Sequence, residues 1–89
     1  MKKPNEDIAA FKEALEAEHK FPTTYVFKFI VPRQQEQAFL DLFPAEKFQK
    51  KESSTGRFSS FTLRRILQSS DEVIHIYQRA YEIEGIISL

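Results

Sequence analysis

The sequence contains no cysteine, which excludes disulfide bridges, thiolate metal sites and cysteine nucleophiles together. It also lacks any apolar run near the ~20 residues of a membrane-spanning helix, and no signal-peptide pattern follows the N-terminus. Net charge is absent as well, because 13 Lys and Arg balance 13 Asp and Glu. Avid nonspecific binding to nucleic acid normally accompanies a clear positive excess. We therefore expect a cytoplasmic protein that does not bind nucleic acid indiscriminately.

What the sequence does have is aromatic and apolar material, with nine phenylalanines and 42% hydrophobic residues in 89 positions. This is enough for one core. A chain of this size buries only about 60–65% of the surface that its unfolded form exposes, so most of the aromatic side chains should lie inside. We expect one domain over residues 21–89, preceded by a helical extension over residues 1–20.

Residues 5–18 carry the pattern of an amphipathic helix, because Ile8, Phe11 and Leu15 fall on one face. Asn5 is the predicted N-cap of this helix. The apolar stripe is narrow, which leaves two alternatives. Either the helix docks weakly on its own domain, or it packs against another subunit.

The clearest strand covers residues 21–31, where large apolar side chains alternate. Its Tyr25, Phe27 and Phe29 are predicted to face the helices. A mostly polar strand over residues 47–52 suits the edge of a sheet, where lysines discourage pairing with another chain.

A further strand is predicted over residues 57–67, but its alternation fails near its end. Arg65 occupies an apolar position there and Ile66 a polar one. Either a bulge near Arg64 and Arg65 shifts the register, or the strand is exposed at its far end.

Two more helices are predicted, over residues 33–43 and residues 71–84. Ser69 and Glu72 have the spacing of a capping box before the second of these helices, and Gly85 is placed to end it. The inward face of the last helix is predicted to hold Val73, Ile76, Tyr77 and Ala80.

With a short strand over residues 86–89, the order from residue 21 becomes βαββαβ. The compact arrangement of that order is α+β, with a four-stranded antiparallel sheet and both helices on one face. We therefore predict a ferredoxin-like sandwich plus an extra N-terminal helix. The uncovered face of the sheet would be mixed apolar and basic, which favours association or ligand binding. That face is predicted to carry Val26, Lys28, Ile30, Phe58, Ser60, Thr62 and Arg64.

Positive charge is concentrated in residues 47–65, where six Lys or Arg accompany the single acid Glu52. Two interpretations are open. The basic strands neutralise acidic helices within the fold, or they form a patch for an anionic partner.

The turn at residues 53–60 marks a β-hairpin, in which Gly56 is expected to adopt a positive φ. An anion site is the alternative, because Ser53, Ser54, Arg57 and the backbone amides around Gly56 would suit an oxyanion. Turn formation is the favoured interpretation, since no phosphate-binding glycine motif accompanies these residues.

Little in the sequence is suited to catalysis. His19 is predicted to be a solvated residue at the end of the first helix, and His75 to lie on the polar helix face beside Glu72 and Arg79. We predict no catalytic residue, no metal site and no cofactor, and hence no enzyme.

RNA binding is a further alternative, because RNA-binding domains of the same βαββαβ order use the open sheet face. Phe58 would then stack on a base, with Arg57 and Arg64 near the backbone. The segment around Gly56 lacks the aromatic pattern of such domains, so nucleic acid is disfavoured as a partner.

Several short motifs occur in an order that resembles the YbeD-like family of small bacterial domains of unknown function. They are Phe21-Pro22-Thr23, Ser53 to Ser60, Val73 to Tyr77, and the C-terminal Gly85 to Leu89. The resemblance covers about residues 21–89. It implies a ferredoxin-like fold similar to ACT regulatory domains, and it implies no reaction or catalytic residue.

Together these observations favour a non-enzymatic regulatory or interaction domain. It is expected to associate with a protein, including a second copy of itself, and to sense a small metabolite. An adaptor for nucleic acid or an acidic protein, built on the basic hairpin of residues 47–65, is the alternative. The candidate ligand or partner surface consists of Lys28, Ser53, Ser54, Gly56, Arg57, Phe58 and Arg64.

Overall fold

A computed structural model describes residues 7–89 of the chain. Within that range the fold is α+β, with three α-helices and a four-stranded antiparallel sheet in the order β2-β3-β1-β4. None of the helices formed by residues 7–89 combines the length and apolar character needed to cross a membrane. The elements are α1 (Ile8–Glu18), β1 (Thr23–Pro32), a 3₁₀ turn (Arg33–Gln35), α2 (Glu36–Leu42), β2 (Gln49–Glu52), β3 (Phe58–Leu67), α3 (Ser70–Ala80) and β4 (Ile87–Ser88).

The two long strands, β1 and β3, pair without interruption over ten residues. The pairing runs from Thr23 opposite Leu67 to Pro32 opposite Phe58. The proposed bulge near Arg64 is therefore wrong, and the alternative is correct: residues 64–66 are exposed although they remain paired. Because alternate residues of a strand point to opposite faces, this register fixes which side chains of both strands face the helices.

The core lies between the sheet and the helices, and it is largely aromatic. Phe27 and Phe29 of β1 are fully buried, as their alternation predicted. Phe39 of α2 contacts Phe29 with a centroid distance of 5.7 Å, and Tyr77 of α3 lies 5.2 Å from Phe27. Such edge-to-face pairs add to the stability gained from burial. One aromatic side chain from each of α2 and α3 thus anchors its helix to the central strand.

Helix α1 packs against α3 of the same chain, which answers the question of where it docks. Leu15 is buried, Ser70 donates to Glu16 at 2.7 Å, and Phe11 contacts Tyr77 at 5.5 Å between ring centroids. Ile8 is 41% exposed, contrary to its predicted inward position, because the contacts begin one turn later along the helix.

The first described turn of α1 is capped by Asp7, whose carboxylate accepts from the Ala10 amide at 3.1 Å. Asp7 thus occupies the role that the sequence analysis gave to Asn5. Asn5 itself lies outside the described residues.

The predicted helix over residues 33–43 begins as a 3₁₀ turn and becomes α-helical only at Glu36. Strand β2 starts at Gln49, two residues later than predicted. The reason is that Phe48 packs against Phe39 and Phe61 just before the strand, at centroid distances of 5.1 and 6.0 Å.

Helix α3 begins as predicted and ends early. Ser69 accepts from the Glu72 amide at 3.4 Å, while the Glu72 carboxylate accepts from the Gln68 amide, one residue before the cap. The helix stops at Ala80, four residues short of the predicted end at Glu84. Gly85 has the positive φ of +81° that was expected, but it lies in the loop after the helix.

Phe39→Ala is expected to lower the free energy of unfolding by about 3–5 kcal/mol, because it removes a fully buried ring and leaves a cavity. The adjacent Leu40→Ala is the control, since Leu40 is 37% exposed on the same helix. Urea unfolding followed by circular dichroism measures both. Equal losses for the two variants would contradict the position assigned to α2.

Candidate functional site

The face of the sheet turned away from the helices is not covered by any described element, and we call it the open face. Its exposed apolar side chains include Ile66 at 65%, Ile87 at 50%, Val26 at 48% and Phe58 at 38%. A hydrophobic surface that remains uncovered in a small domain is typical of a binding site.

The strand register decides which polar residues join this face. Lys28 lies opposite Thr62, Ile30 opposite Ser60, and Lys51 is the partner of Ser60 on the other side. Arg64 lies opposite Val26. No strand position on the open face among the described residues holds a carboxylate. These positions are Thr24, Val26, Lys28, Ile30, Pro32, Gln49, Lys51, Phe58, Ser60, Thr62, Arg64, Ile66 and Ile87.

The basic residues of β2 and β3 are divided between the two faces. Lys50, on the helix side, binds Glu36 of α2 at 2.6 Å, and Arg65, also on the helix side, pairs with Glu46. Lys51 and Arg64 point to the open face, where no ion pair to either is formed within residues 7–89. The interpretation that basic residues neutralise acidic groups of the fold therefore applies to Lys50 and Arg65, whereas a patch for an anionic partner remains a prediction for Lys51 and Arg64.

Glu36 is the carboxylate that ties α2 to the sheet. Besides Lys50, it accepts a hydrogen bond from the buried Ser59 hydroxyl at 2.8 Å. The hydrogen bond from Lys50 lowers the pKa of Glu36, although partial desolvation acts in the opposite direction, and Ser59 lowers it further. The hydrogen bond to Glu36 likewise raises the pKa of Lys50. Lys50 thus bonds within the fold, to α2.

A concavity of about 410 Å³ lies where the open face meets the β2–β3 turn, and we call it the hairpin hollow. It brings together the predicted candidates Lys28, Ser53, Ser54 and Phe58. Its remaining lining residues are Ile30, Lys51, Glu52 and Ser60. The predicted Arg64 is on the same face but not in this hollow, and Gly56 and Arg57 lie elsewhere.

The turn itself uses the backbone amides that an oxyanion would need. The Gly56 amide donates to the Ser53 carbonyl at 3.0 Å, and the Arg57 amide to the Thr55 hydroxyl at 3.4 Å. The Phe58 amide donates to the Ser53 hydroxyl at 3.3 Å. Gly56 has φ +73°, as the turn interpretation requires. The geometry therefore favours turn formation over a cradle made of these amides.

A second concavity, of about 650 Å³, lies beyond the same turn and contains a residue that sequence reasoning missed. We call it the arginine hollow, because Arg33 and Arg57 both line it, together with Pro32, Gln34 and Gly56. The Arg33 amide donates to the Arg57 carbonyl at 2.9 Å, and the Arg33 guanidinium donates to the Gly56 carbonyl at 3.4 Å. The register of β1 with β3, had it been derived, would have placed these two arginines side by side.

The histidines are not joined into a catalytic group. His19 is half-buried and lies edge-on against Tyr25 at a 5.3 Å centroid distance, so the prediction that it is solvated is wrong. His75 is exposed, with its Nε2 atom 3.4 Å from the Arg79 guanidinium. Within residues 7–89 no three His, Asp or Glu side chains are grouped so that they would hold a metal ion.

Tyr77 is the titratable group most changed by its surroundings. Burial, together with the hydrogen bond between its hydroxyl and that of Tyr25 at 3.1 Å, raises its pKa far above the ordinary range. Tyr77 therefore stays protonated at physiological pH, and its ring is part of the core.

Comparison with known proteins identifies one family. A family described as "Protein of unknown function (DUF493)" matches residues 16–89, a segment that begins inside α1 and includes the whole sheet. No curated protein and no solved structure matches the chain.

Lys50→Gln and Lys51→Gln form a matched pair of neighbouring substitutions on opposite faces. Lys50→Gln is expected to lower the melting temperature at pH 7, because Glu36 loses its partner, whereas Lys51→Gln should leave it nearly unchanged. Thermal unfolding followed by circular dichroism measures both.

The effect of Lys50→Gln should depend on pH in a definite direction. Since the pKa of Glu36 is lowered in the folded state, its contribution is present above the unfolded-state pKa and is lost as pH falls through the folded value. The difference between Lys50→Gln and wild type should therefore shrink in acid. A difference that grows in acid would contradict this assignment.

Proposed function

Because this chain belongs to the YbeD family, DUF493, whose function is unknown, we propose one from its own geometry. The chain is a non-enzymatic interaction domain that binds an acidic protein partner through the open face. The observation that carries this proposal is an uncovered sheet face with exposed apolar side chains, Lys28, Lys51 and Arg64, and no carboxylate at its strand positions.

We also propose that residues 21–89 form a ferredoxin-like βαββαβ sandwich of the ACT type, and that residues 1–20, of which 1–6 lie outside the described residues, are an extension of it. The strand order β2-β3-β1-β4 and the packing of the helices on one face are compatible with it. In such an arrangement one face of the sheet is free to bind.

The apolar content of the open face supports a protein partner. Val26 and Ile66 flank Arg64 on the paired strands, and both are about half exposed or more, at 48% and 65%. Apolar side chains beside basic ones resemble the core and rim of a protein interface. A partner would remove this apolar surface from water, which is the main source of affinity.

The charge of the face indicates what kind of partner would fit. In a twofold symmetric dimer the same surface meets itself, so the open faces of two copies would bring three cations of each copy together, with no carboxylate at the strand positions and Glu52 of the hairpin hollow to offset them in part. A partner with Asp or Glu beside apolar side chains would be complementary and would associate faster. The charge pattern therefore favours a different, acidic protein over a second copy.

The adaptor alternative, based on the basic hairpin, is supported by Lys51 and Arg57, which form no ion pair within the described residues. Lys50, however, is held by Glu36. The hairpin thus offers less free charge than its composition suggests, and nucleic acid, which needs many phosphate contacts, is less well supported than an acidic protein.

Photo-crosslinking in cells that naturally make the protein tests the proposal. A benzophenone side chain placed at Ile66 should give an adduct with one partner protein, whereas the same group at the exposed Ala14 of α1 should not. The adduct should be lost in Lys28→Glu combined with Arg64→Glu, because both charges then repel an acidic surface. It should persist in the matched double reversal Lys12→Glu with Arg79→Glu, since these residues lie on helices α1 and α3, on the other side of the sheet.

Three outcomes would contradict the proposal. An adduct only at twice the chain mass of 10.5 kDa would identify a second copy as the partner. Equal loss of the adduct in both double reversals would mean that binding depends on the total charge of the chain and not on the charge of the open face. Absence of any adduct at Ile66 would leave the open face without a protein partner.

A further inference from the structure

Two arginines from distant parts of the sequence share one concavity at the end of the sheet. Arg33 follows β1 and Arg57 precedes β3, and both line the arginine hollow. They meet there because Pro32 and Phe58 are paired at the last position of the β1–β3 ladder, which the Arg33 amide extends by its bond to the Arg57 carbonyl.

Neither of these two side chains forms an ion pair within residues 7–89. Glu36, one helical turn after Arg33, is close enough for the Arg33 charge to lower its pKa, but its direct partners are Lys50 at 2.6 Å and Ser59 at 2.8 Å. Two guanidinium groups without a directly bound carboxylate at one concavity suit an oxyanion, because each has a planar fork of donors.

Gly56 contributes the space that the arrangement needs. A Cβ atom at this position would lie 3.3 Å from the Arg33 guanidinium nitrogen, closer than such atoms normally approach. The Gly56 carbonyl accepts from that same guanidinium at 3.4 Å and so holds it at the rim of the hollow. Gly56 thus has two roles. Its positive φ forms the turn, and its lack of a side chain leaves room for the Arg33 guanidinium.

We propose that the arginine hollow binds the phosphate group of a small phosphate monoester, with Arg33 and Arg57 as its two cationic ligands. Two guanidinium groups match the two negative charges that a monoester carries near neutral pH. The volume of about 650 Å³ exceeds what a phosphate alone would fill and is within the range of small-ligand sites. The Pro32 ring and the Gln34 amide are available to the remainder of such a molecule.

This site is independent of the proposed partner surface. The open-face proposal rests on Lys28, Arg64 and the exposed apolar residues, whereas the phosphate site rests on Arg33 and Arg57. Failure of either proposal would leave the other standing.

Titration of the full chain with methyl phosphate and with dimethyl phosphate, followed by amide NMR, tests the site. Methyl phosphate should shift the amides of Arg33, Gly56 and Arg57 along one saturable curve. Dimethyl phosphate carries one charge fewer and should bind about tenfold more weakly, which corresponds to ~1.4 kcal/mol. The linkages of a nucleic-acid backbone are diesters, so equal or tighter binding of the diester would overturn the proposal and indicate a nucleic-acid contact instead.

Arg57→Gln should weaken methyl phosphate binding about tenfold or more, because it removes a charge-assisted hydrogen bond to the ligand. Arg79→Gln is the matched control. It removes the same charge from α3, where Arg79 contacts Leu42 and His75 and does not line the arginine hollow, and should change the affinity less than about twofold. Equal weakening in both would show general attraction to positive charge and overturn the site, as would the absence of saturation in the wild-type chain.

Arg33→Gln should weaken binding as much as Arg57→Gln does. Since Arg33 also donates a hydrogen bond to the Gly56 carbonyl, the melting temperature of the Arg33→Gln variant must be compared with that of wild type. Should that variant unfold, Arg57→Gln still decides the question, because the Arg57 side chain forms no hydrogen bond or ion pair within the described residues.

Discussion

The uninterrupted pairing of β1 with β3 is the constraint on which the rest of the structure depends. Ten consecutive residue pairs fix the register, and a shift of either strand by one residue would exchange its two faces relative to the other strand. If β1 shifted, Phe27 and Phe29 would point to water while Phe61 of β3 still faced the helices, and Lys28 would enter the core. The burial of those rings is what makes this register favourable, and the helices, the open face and the arginine hollow all take their places from it.

The sequence allowed β1 to be predicted well because a strand with large apolar residues at every second position has only one way to bury them. The inward face of α3 followed for the same reason, although buried Ile74 was not assigned to it. Ser70, one turn before Ile74, bonds to Glu16 of α1, so a second side of α3 is covered, which the pattern of α3 alone does not reveal. The ends of helices and strands were less predictable. Helix α3 ends at Ala80 and strand β2 begins at Gln49, because Ile83 and Phe48 pack on the core outside regular structure.

The candidate site could be predicted only in part. Alternation along the strands gave the open face, and with it Lys28, Phe58 and Arg64. The consecutive residues Lys50 and Lys51 show why the basic segment could not be assigned as one patch. Lys50 is bound to α2, whereas Lys51 points to the opposite face of the sheet. Arg33 was missed because it meets Arg57 through pairing of strands that are 25 residues apart, and periodicity within a strand contains no information about its partner.

The attachment of α1 determines which changes in this helix the sheet would tolerate. This helix touches the rest of the molecule mainly through α3, by Leu15, the Glu16–Ser70 hydrogen bond and the ring contact of Phe11. It contributes no strand and interrupts no ladder. Substitutions on its exposed side would therefore leave every ladder of the sheet as it is, whereas loss of Leu15 or Phe11 would loosen the helix from α3 first and reach the sheet only through that helix.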